Sequence, residues 1–190
     1  MLQHDEFALR PMAENDLEQV LEWRNSDRIR INMYTDHVIN MDEHRKWFTR
    51  VSQTKQSFHY IFELHHNPIG VINVNNLDRV NGRCVWGFYL GDATAPKGSG
   101  SAMGYFGLEE IFKKLGFRKV VGEAFAFNEE SIRFHRRLGF IEEGQFRQHV
   151  LKAGRYEDII CFGLLYDDWQ LIKNKLGKKI FEESVLLCRS

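Results

Sequence analysis

The sequence predicts an α+β fold built on a mixed, mostly antiparallel sheet. Short apolar runs recur between residues 7 and 165 at the spacing of strands. Four stretches with apolar residues at helical spacing interrupt these runs at uneven intervals. The resulting order is β-α-α-β-β-β-α-β-α-β-β with a C-terminal helix, which differs from the regular alternation of a parallel α/β protein.

The length and composition favour a single domain with no net charge. The chain has 190 residues, with 26 basic and 26 acidic side chains. We expect one domain over residues 1–190, with a core at 6–168 and a C-terminal helix or tail at 169–190. The balanced charge predicts no nucleic-acid partner and no membrane partner.

The cysteines and the N-terminal residues predict a cytoplasmic protein. Three cysteines lie far apart in the chain, at Cys84, Cys161 and Cys188. They form neither a metal-binding pair nor a disulfide framework, so we expect no metal and a reducing compartment. The first residues do not resemble a signal peptide.

The first third of the chain is predicted to contain one strand and two helices. Residues 7–12 alternate apolar and polar side chains, residues 17–23 carry a helical apolar stripe, and residues 32–37 have no period and are predicted to form a loop. A second helix is expected to end near residue 51. Polar residues that can cap a helix precede both helices: Asn15 or Asp16, and Asn40 or Asp42.

Three strands and two turns are predicted next. The strands are residues 58–64, 69–74 and 84–90, and the turns are residues 65–68 and 80–83.

A stretch of small residues at 95–104 then leads from a strand into a helix. Apolar residues recur there at helical spacing before Gly116: Leu108, Ile111, Phe112 and Leu115. Loops of this kind bind phosphate, because backbone N–H groups converge at the positive end of a helix. Lys97 stands at the start of the loop, which excludes a Walker motif, and the glycines miss the dinucleotide spacing by one position.

The last part of the domain is predicted to be strand, helix, strand and strand. Residues 119–127 form the first of these strands, and Asn128, with Ser131 or Glu130, can cap the helix. Two strands follow at residues 145–151 and 159–165.

Residues 97–102, Lys-Gly-Ser-Gly-Ser-Ala, resemble the pyrophosphate loop of the GNAT N-acetyltransferase superfamily, with Lys97 in place of the usual Arg or Gln. The order of elements, Asn128 and the Leu-Gly-Phe segment at 138–140 also fall where that superfamily has them. The resemblance covers nearly the whole chain and implies acetyl-CoA as co-substrate. It implies the following coenzyme contacts: backbone groups of Phe88, Tyr89 and Leu90, backbone amides of Gly98, Ser99, Gly100, Ser101 and Ala102, and the side chains of Lys97, Asn128 and Ser131.

Four early segments resemble one subfamily, the enzymes of pseudaminic acid biosynthesis, a pathway of flagellin glycosylation. The segments are residues 21–25, 32–35, 44–48 and 86–89. This resemblance implies transfer of an acetyl group to the 4-amino group of UDP-4-amino-4,6-dideoxy-N-acetyl-β-L-altrosamine. It implies four substrate-binding residues, whose aromatic and apolar surfaces suit a sugar nucleotide: Met33, Tyr34, Trp47 and Phe48. For Trp47 and Phe48, packing between two helices is the alternative.

Two residues are candidates for the chemistry. Glu123 lies in a strand that borders the cleft of this fold, and it can accept the proton of the acceptor amine. A solvent-facing strand carboxylate is the alternative. His135 occupies the position where many members of the superfamily have a tyrosine that protonates the departing thiolate, and the alternative is a contact to coenzyme A.

Two rival functions remain open. Ribosomal-protein N-terminal acetyltransferases share the later motifs, and a non-catalytic acyl-CoA sensor could use the same fold. The sequence is compatible with a homodimer.

Overall fold

The computed structural model describes residues 2–182, which contain a seven-stranded sheet in the order β1-β2-β3-β4-β5-β7-β6. Only β4 and β5 are paired in parallel. The predicted α+β class and the mixed, mostly antiparallel sheet are confirmed. The strands are β1 Phe7–Pro11, β2 Phe58–Leu64, β3 Asn67–Asp78, β4 Arg83–Leu90, β5 Lys119–Phe125, β6 Ile141–Lys152 and β7 Arg155–Leu165.

Within residues 2–182, six α-helices cover the two faces of the sheet. They are α1 Leu17–Asn25, α2 Asp27–Arg30, α3 Met41–Ser52, α4 Ser99–Glu109, α5 Glu129–Arg137 and α6 Tyr166–Phe181. Side-chain caps begin two of them as predicted: Asn40 accepts a hydrogen bond from the Glu43 amide at 2.9 Å, and Asn128 accepts one from the Ser131 amide at 3.1 Å. The four-residue helix α2 was not predicted, because one turn is too short to show an apolar period.

Strands β4 and β5 separate after three residue pairs. Arg83–Val85 pairs with residues 119–121, but β4 continues to Leu90 and β5 to Phe125 without further pairing to each other. The backbone of the second half of β4 therefore faces an opening in the sheet. This opening is where a ligand can add as an extra strand.

Each face of the sheet has its own apolar cluster. Helices α4, α5 and α6 pack on one face, around residues such as Trp86 and Phe162. Helices α1, α2 and α3 pack on the other face, around Val20, Trp23 and Ile61. Because side chains alternate along a strand, neighbouring residues of β4 and β5 face opposite clusters.

A buried ion cluster fixes the start of α1 against the sheet. Arg10 donates to both carboxylate oxygens of Asp16 at 2.7 and 2.8 Å and to Glu63 at 2.7 Å. Burial alone would raise the pKa of Asp16, but the hydrogen bonds from Arg10 and from the Ala13 amide outweigh it and lower that pKa. The cluster holds the helix that carries Arg24 into the site described below.

Three strands are longer than predicted, and one of them is β7, which begins at Arg155 instead of residue 159. β3 begins at Asn67 and extends to Asp78, beyond the predicted 69–74. β6 begins at Ile141 instead of residue 145, and it is an edge strand whose residues are almost all exposed. An exposed strand has no burial-driven alternation, so its ends leave no clear pattern in the sequence.

The predicted C-terminal helix packs on the domain itself. Trp169 of α6 is fully buried, and its indole N–H donates to Glu109 of α4 at 2.8 Å. Residues 183–190 of the predicted tail, including Cys188, lie outside the described residues.

Candidate active site

The small-residue loop leaves several amides without a backbone acceptor among the described residues at the start of α4. Gly98 has φ +102°, a left-handed conformation that favours glycine. The Ser99 amide donates to the Pro96 carbonyl at 3.0 Å, and the Ala102 amide donates to the Gly98 carbonyl at 3.1 Å. Within residues 2–182, the Gly100 and Ser101 amides have no backbone acceptor. These two N–H groups can bind an anion at the positive end of the helix.

Of the five amides predicted to bind phosphate, those of Gly98, Gly100 and Ser101 have no backbone acceptor within residues 2–182, and the role of the set stays a prediction. The amides of Ser99 and Ala102 are used within the loop, and both residues are fully buried. Gly98 shapes the turn, and Lys97 next to it is exposed, as a supporting charge requires.

The neighbouring edge of β4 fits an extended, amide-containing chain. Phe88, Tyr89 and Leu90 lie beyond the last residue that pairs with β5. Their backbone groups on that side do not pair with β5, and their contact with the coenzyme stays a prediction. Asn128 and Ser131 lie across the opening at the start of α5, where the Asn128 carbonyl oxygen caps the helix. The opening and the two amides together fit the pantetheine and pyrophosphate parts of coenzyme A.

Tyr34 and Glu123 meet on the α1–α3 face of the sheet. The Tyr34 hydroxyl donates to Glu123 Oε2 at 2.5 Å, and its ring packs edge-on against Phe125 with 5.5 Å between centroids. Burial and the hydrogen bond to Glu123 raise the pKa of Tyr34, so it stays protonated as a donor. Glu123 itself is exposed to the cleft, where a general base must be accessible. The structure thus brings together one predicted catalytic residue and one predicted substrate-binding residue.

His135 lies on the opposite face and is almost wholly buried. Its ring stacks on Phe162 with 4.7 Å between centroids, and only 1% of the residue is exposed. Nδ1–H donates to the Ser131 carbonyl at 2.8 Å, and Nε2 accepts from the Trp86 indole at 3.3 Å. Burial lowers the pKa of His135 to about 4, although the hydrogen bond to the Ser131 carbonyl opposes the shift.

This geometry favours a packing role for His135 over proton donation. The ring is neutral near pH 7, both nitrogens have partners, and Glu123 faces the other side of the sheet. The general-acid role stays a prediction.

A cavity of about 830 Å³ lies beside this meeting point, between α1, α3 and the sheet. Its lining includes Met33, Trp47, His59 and Tyr89. Trp47 is half-buried and packs edge-on against His59 with 5.0 Å between ring centroids. The volume falls in the range of small-molecule sites.

Two residues that line the cavity have a buried side-chain nitrogen without a hydrogen-bond partner among the described residues. Arg24 Nη2 donates to the Thr35 carbonyl at 2.7 Å, but Nη1 is buried and has no hydrogen-bond partner among the described residues. His44 is 4% exposed, stacks on Trp47 at 5.1 Å, and its Nε2 is also buried without a partner. Burial lowers the pKa of both side chains, and the charge of Arg24 further lowers that of His44. Unpaired buried polar groups are rare in folded proteins, so these two mark the wall of the cavity as a candidate functional position.

The four predicted substrate-binding residues divide into three groups. Met33 and Trp47 line the cavity, and Tyr34 reaches Glu123 instead. Phe48 packs with the apolar cluster under α3, in line with its alternative role, which was packing between two helices.

Sequence reasoning missed Arg24 and His44, both of which line the cavity. Both lie inside segments that carried the subfamily resemblance, 21–25 and 44–48. A charged residue inside an apolar helical stripe was the available signal, because a guanidinium is rarely buried unless it has a partner.

Comparison with known proteins gives the family. A family model for the acetyltransferase (GNAT) domain matches residues 6–141. The chain belongs to the GNAT acetyltransferase family. It is an N-acetyltransferase that uses acetyl-CoA, which confirms the predicted enzyme class and co-substrate.

Two relatives come from Bacillus subtilis (strain 168). The "SPbeta prophage-derived uncharacterized N-acetyltransferase YokL" is 33% identical over 148 residues, which cover 76% of this chain and 82% of the relative. The "Putative ribosomal N-acetyltransferase YdaF" is 30% identical over 101 residues, 53% of this chain and 55% of that protein.

Solved structures share the fold at low identity. Spermidine N-acetyltransferase from Vibrio cholerae, in complex with CoA and spermine, superposes with a TM-score of 0.82 at 17% identity, over 87% of this chain and 99% of that one. A dodecameric structure of the same enzyme gives a TM-score of 0.74 at 17% identity, over 87% and 96% of the two chains.

The described residues, 2–182, contain no group of three or more His, Cys, Asp or Glu side chains arranged to hold a metal ion. None of their helices is both long enough and apolar enough to cross a membrane.

Gly100→Glu is expected to abolish acetyl-CoA binding, because a carboxylate at this amide would repel the pyrophosphate. Gly100→Ala is the matched control. A Cβ at this position would lie 3.5 Å from Leu90 and 3.9 Å from Phe134, which are ordinary contacts. Calorimetric titration with acetyl-CoA should show loss of binding for Glu and near-normal affinity for Ala. Equal affinities for both variants would remove the phosphate site from this loop.

His135→Gln is expected to remove part of the acid sensitivity of folding. The unfolded chain binds a proton at His135 near pH 6.5 and the folded protein only near pH 4. The stability that the neutral ring contributes is therefore complete above pH 6.5 and is lost as the pH falls toward 4, by about 2 kcal/mol between pH 7 and pH 5.

Urea unfolding of wild type and His135→Gln at pH 5 and pH 7 measures this difference. A decline of equal size in both proteins would contradict the prediction. The same variant tests the general-acid prediction: a rate loss of about 100-fold at unchanged acetyl-CoA affinity would support that role.

Proposed function

We propose that the protein acetylates the amino group of a nucleotide-linked amino sugar, with UDP-4-amino-4,6-dideoxy-N-acetyl-β-L-altrosamine as the candidate acceptor. The observation that carries the proposal is the half-buried Arg24, which faces the cavity and has no carboxylate partner within 4 Å among the described residues. A desolvated guanidinium binds a diphosphate strongly, because its fork of N–H donors matches phosphate oxygens.

The rest of the cavity supports the same class of acceptor. Trp47 and Tyr89 offer ring surfaces to a base and a sugar. The volume of about 830 Å³ suits a molecule of nucleotide-sugar size.

In the proposed reaction, Glu123 removes the proton from the acceptor amine. The bound coenzyme supplies an acetyl thioester. The Tyr34 hydroxyl donates to the Glu123 carboxylate, and this hydrogen bond orients the carboxylate. The amides of Gly100 and Ser101 and the free edge of β4 orient the coenzyme from the other side of the sheet.

Two other acceptors are alternatives. The name of the relative YdaF favours a ribosomal-protein N-terminus, and the spermine complex of a protein of the same fold favours a polyamine. A polyamine is disfavoured by charge, because the basic side chains that line the cavity (Arg24, Lys46 and Arg50) outnumber the acidic ones (Asp42 and Glu43). A nucleotide-sugar acceptor is consistent with a cytoplasmic enzyme, and the dodecameric neighbour supports a homo-oligomer of this chain.

The test measures thiol release from acetyl-CoA with three acceptors in parallel: the UDP-4-amino sugar, a ribosomal-protein N-terminal peptide and spermidine. We expect turnover with the sugar alone. Turnover with the peptide or spermidine alone would overturn the proposal. No turnover despite tight coenzyme binding would indicate an acyl-CoA sensor.

Arg24→Gln tests whether Arg24 binds the diphosphate of the acceptor. We expect the KM for the UDP-sugar to rise by about tenfold or more, since charge-assisted hydrogen bonds contribute ~1.5–3 kcal/mol, while the KM for acetyl-CoA stays unchanged. Arg83→Gln is the matched control, because Arg83 is 58% exposed and lies at the far end of β4. An unchanged sugar KM in Arg24→Gln would place the nucleotide elsewhere.

A further inference from the structure

The loop that carries Tyr34 is held by three cations from three elements. We define the acceptor loop as residues 31–40, between α2 and α3. Arg24 donates to the Thr35 carbonyl at 2.7 Å, and Arg30 donates to the Asp36 carbonyl at 2.8 Å. The loop has no regular structure of its own, so these contacts fix its backbone.

The third cation comes from the distant β6–β7 hairpin. Lys152 Nζ donates to the Met33 carbonyl at 2.7 Å and lies 3.5 Å from the Arg30 carbonyl. It also lies 5.3 Å from the centroid of the Phe125 ring, the ring on which Tyr34 packs. Lys152 is 8% exposed, which is unusual for a lysine and requires that its ammonium group has partners.

We propose that Lys152 is a positioning residue for acetyl transfer, because it fixes Met33 and so seats the Tyr34 hydroxyl on Glu123. The peptide unit that Lys152 holds directly precedes Tyr34, so the lysine controls the direction in which this side chain leaves the backbone. The hairpin turn adds a weaker tie, from the Ala153 amide to Asp36 at 3.4 Å. The proposal rests on Glu123 and Tyr34 as the acceptor end of the site and not on the identity of the sugar.

A double-mutant cycle tests whether Lys152 acts through Tyr34. Lys152→Met keeps the length of the side chain and removes the donor. With the UDP-4-amino sugar, we expect kcat/KM to fall about tenfold, while the KM for acetyl-CoA stays within about twofold. Because the effect passes through Tyr34, the double variant with Tyr34→Phe should be no slower than Tyr34→Phe alone. Lys152→Arg should recover much of the loss.

Arg155→Met is the matched control on the same hairpin, since the Arg155 side chain is 84% exposed. Its activity should equal that of wild type. Fully additive losses in the double variant, or wild-type kcat/KM in Lys152→Met, would overturn the proposal. A similar loss in Arg155→Met would do the same, because it would indicate a general effect of the hairpin.

Hydrogen exchange gives a readout that needs no acceptor. Lys152→Met should speed amide exchange in residues 31–37 and leave β5 unchanged, with acetyl-CoA affinity unaltered. Unchanged exchange in residues 31–37 would overturn the proposal. This arm decides the role of Lys152 even if the UDP-sugar is not turned over, so a failure of the proposed function can be told apart from a failure of this inference.

Discussion

The separation of β4 from β5 is the constraint on which the rest of the site depends. The two strands pair only up to Val85 and Val121, so the sheet opens in its middle instead of at an edge. Backbone groups that would otherwise pair are left free along Phe88–Leu90, and a ligand chain can satisfy them. The opening also joins the two faces of the sheet, because a molecule lying in it can touch side chains from both.

The two faces then supply different parts of the chemistry. The face covered by α4 and α5 provides the amides of Gly100 and Ser101 and the rigid aromatic packing around His135. The face covered by α1–α3 provides Glu123 and the cavity that Arg24 lines. The apolar packing on the α4–α5 face is rigid, which suits a coenzyme that many enzymes share. The acceptor loop is held by cations at its carbonyls, so its sequence can vary between enzymes that act on different acceptors.

Local signals explain which parts the sequence could predict. The caps at Asn40 and Asn128 depend on residues within a few positions, and the structure has them as predicted. Contacts between distant residues left no such signal: Lys152 and Met33 are 119 positions apart. His135 stands at a position that indicates catalysis. In the structure, however, Trp86 of β4 donates to its Nε2, and Phe162 of β7 stacks on its ring. The sequence could not show those neighbours.

A crystal structure of the complex with coenzyme A tests the account most directly. We expect the pyrophosphate oxygens to accept hydrogen bonds from the Gly100 and Ser101 amides, and the pantetheine arm to pair with the backbone of Phe88–Leu90. The sulfur should then lie in the opening between β4 and β5, on the side reached by Glu123. A coenzyme bound without contact to either amide, or outside this opening, would contradict the account.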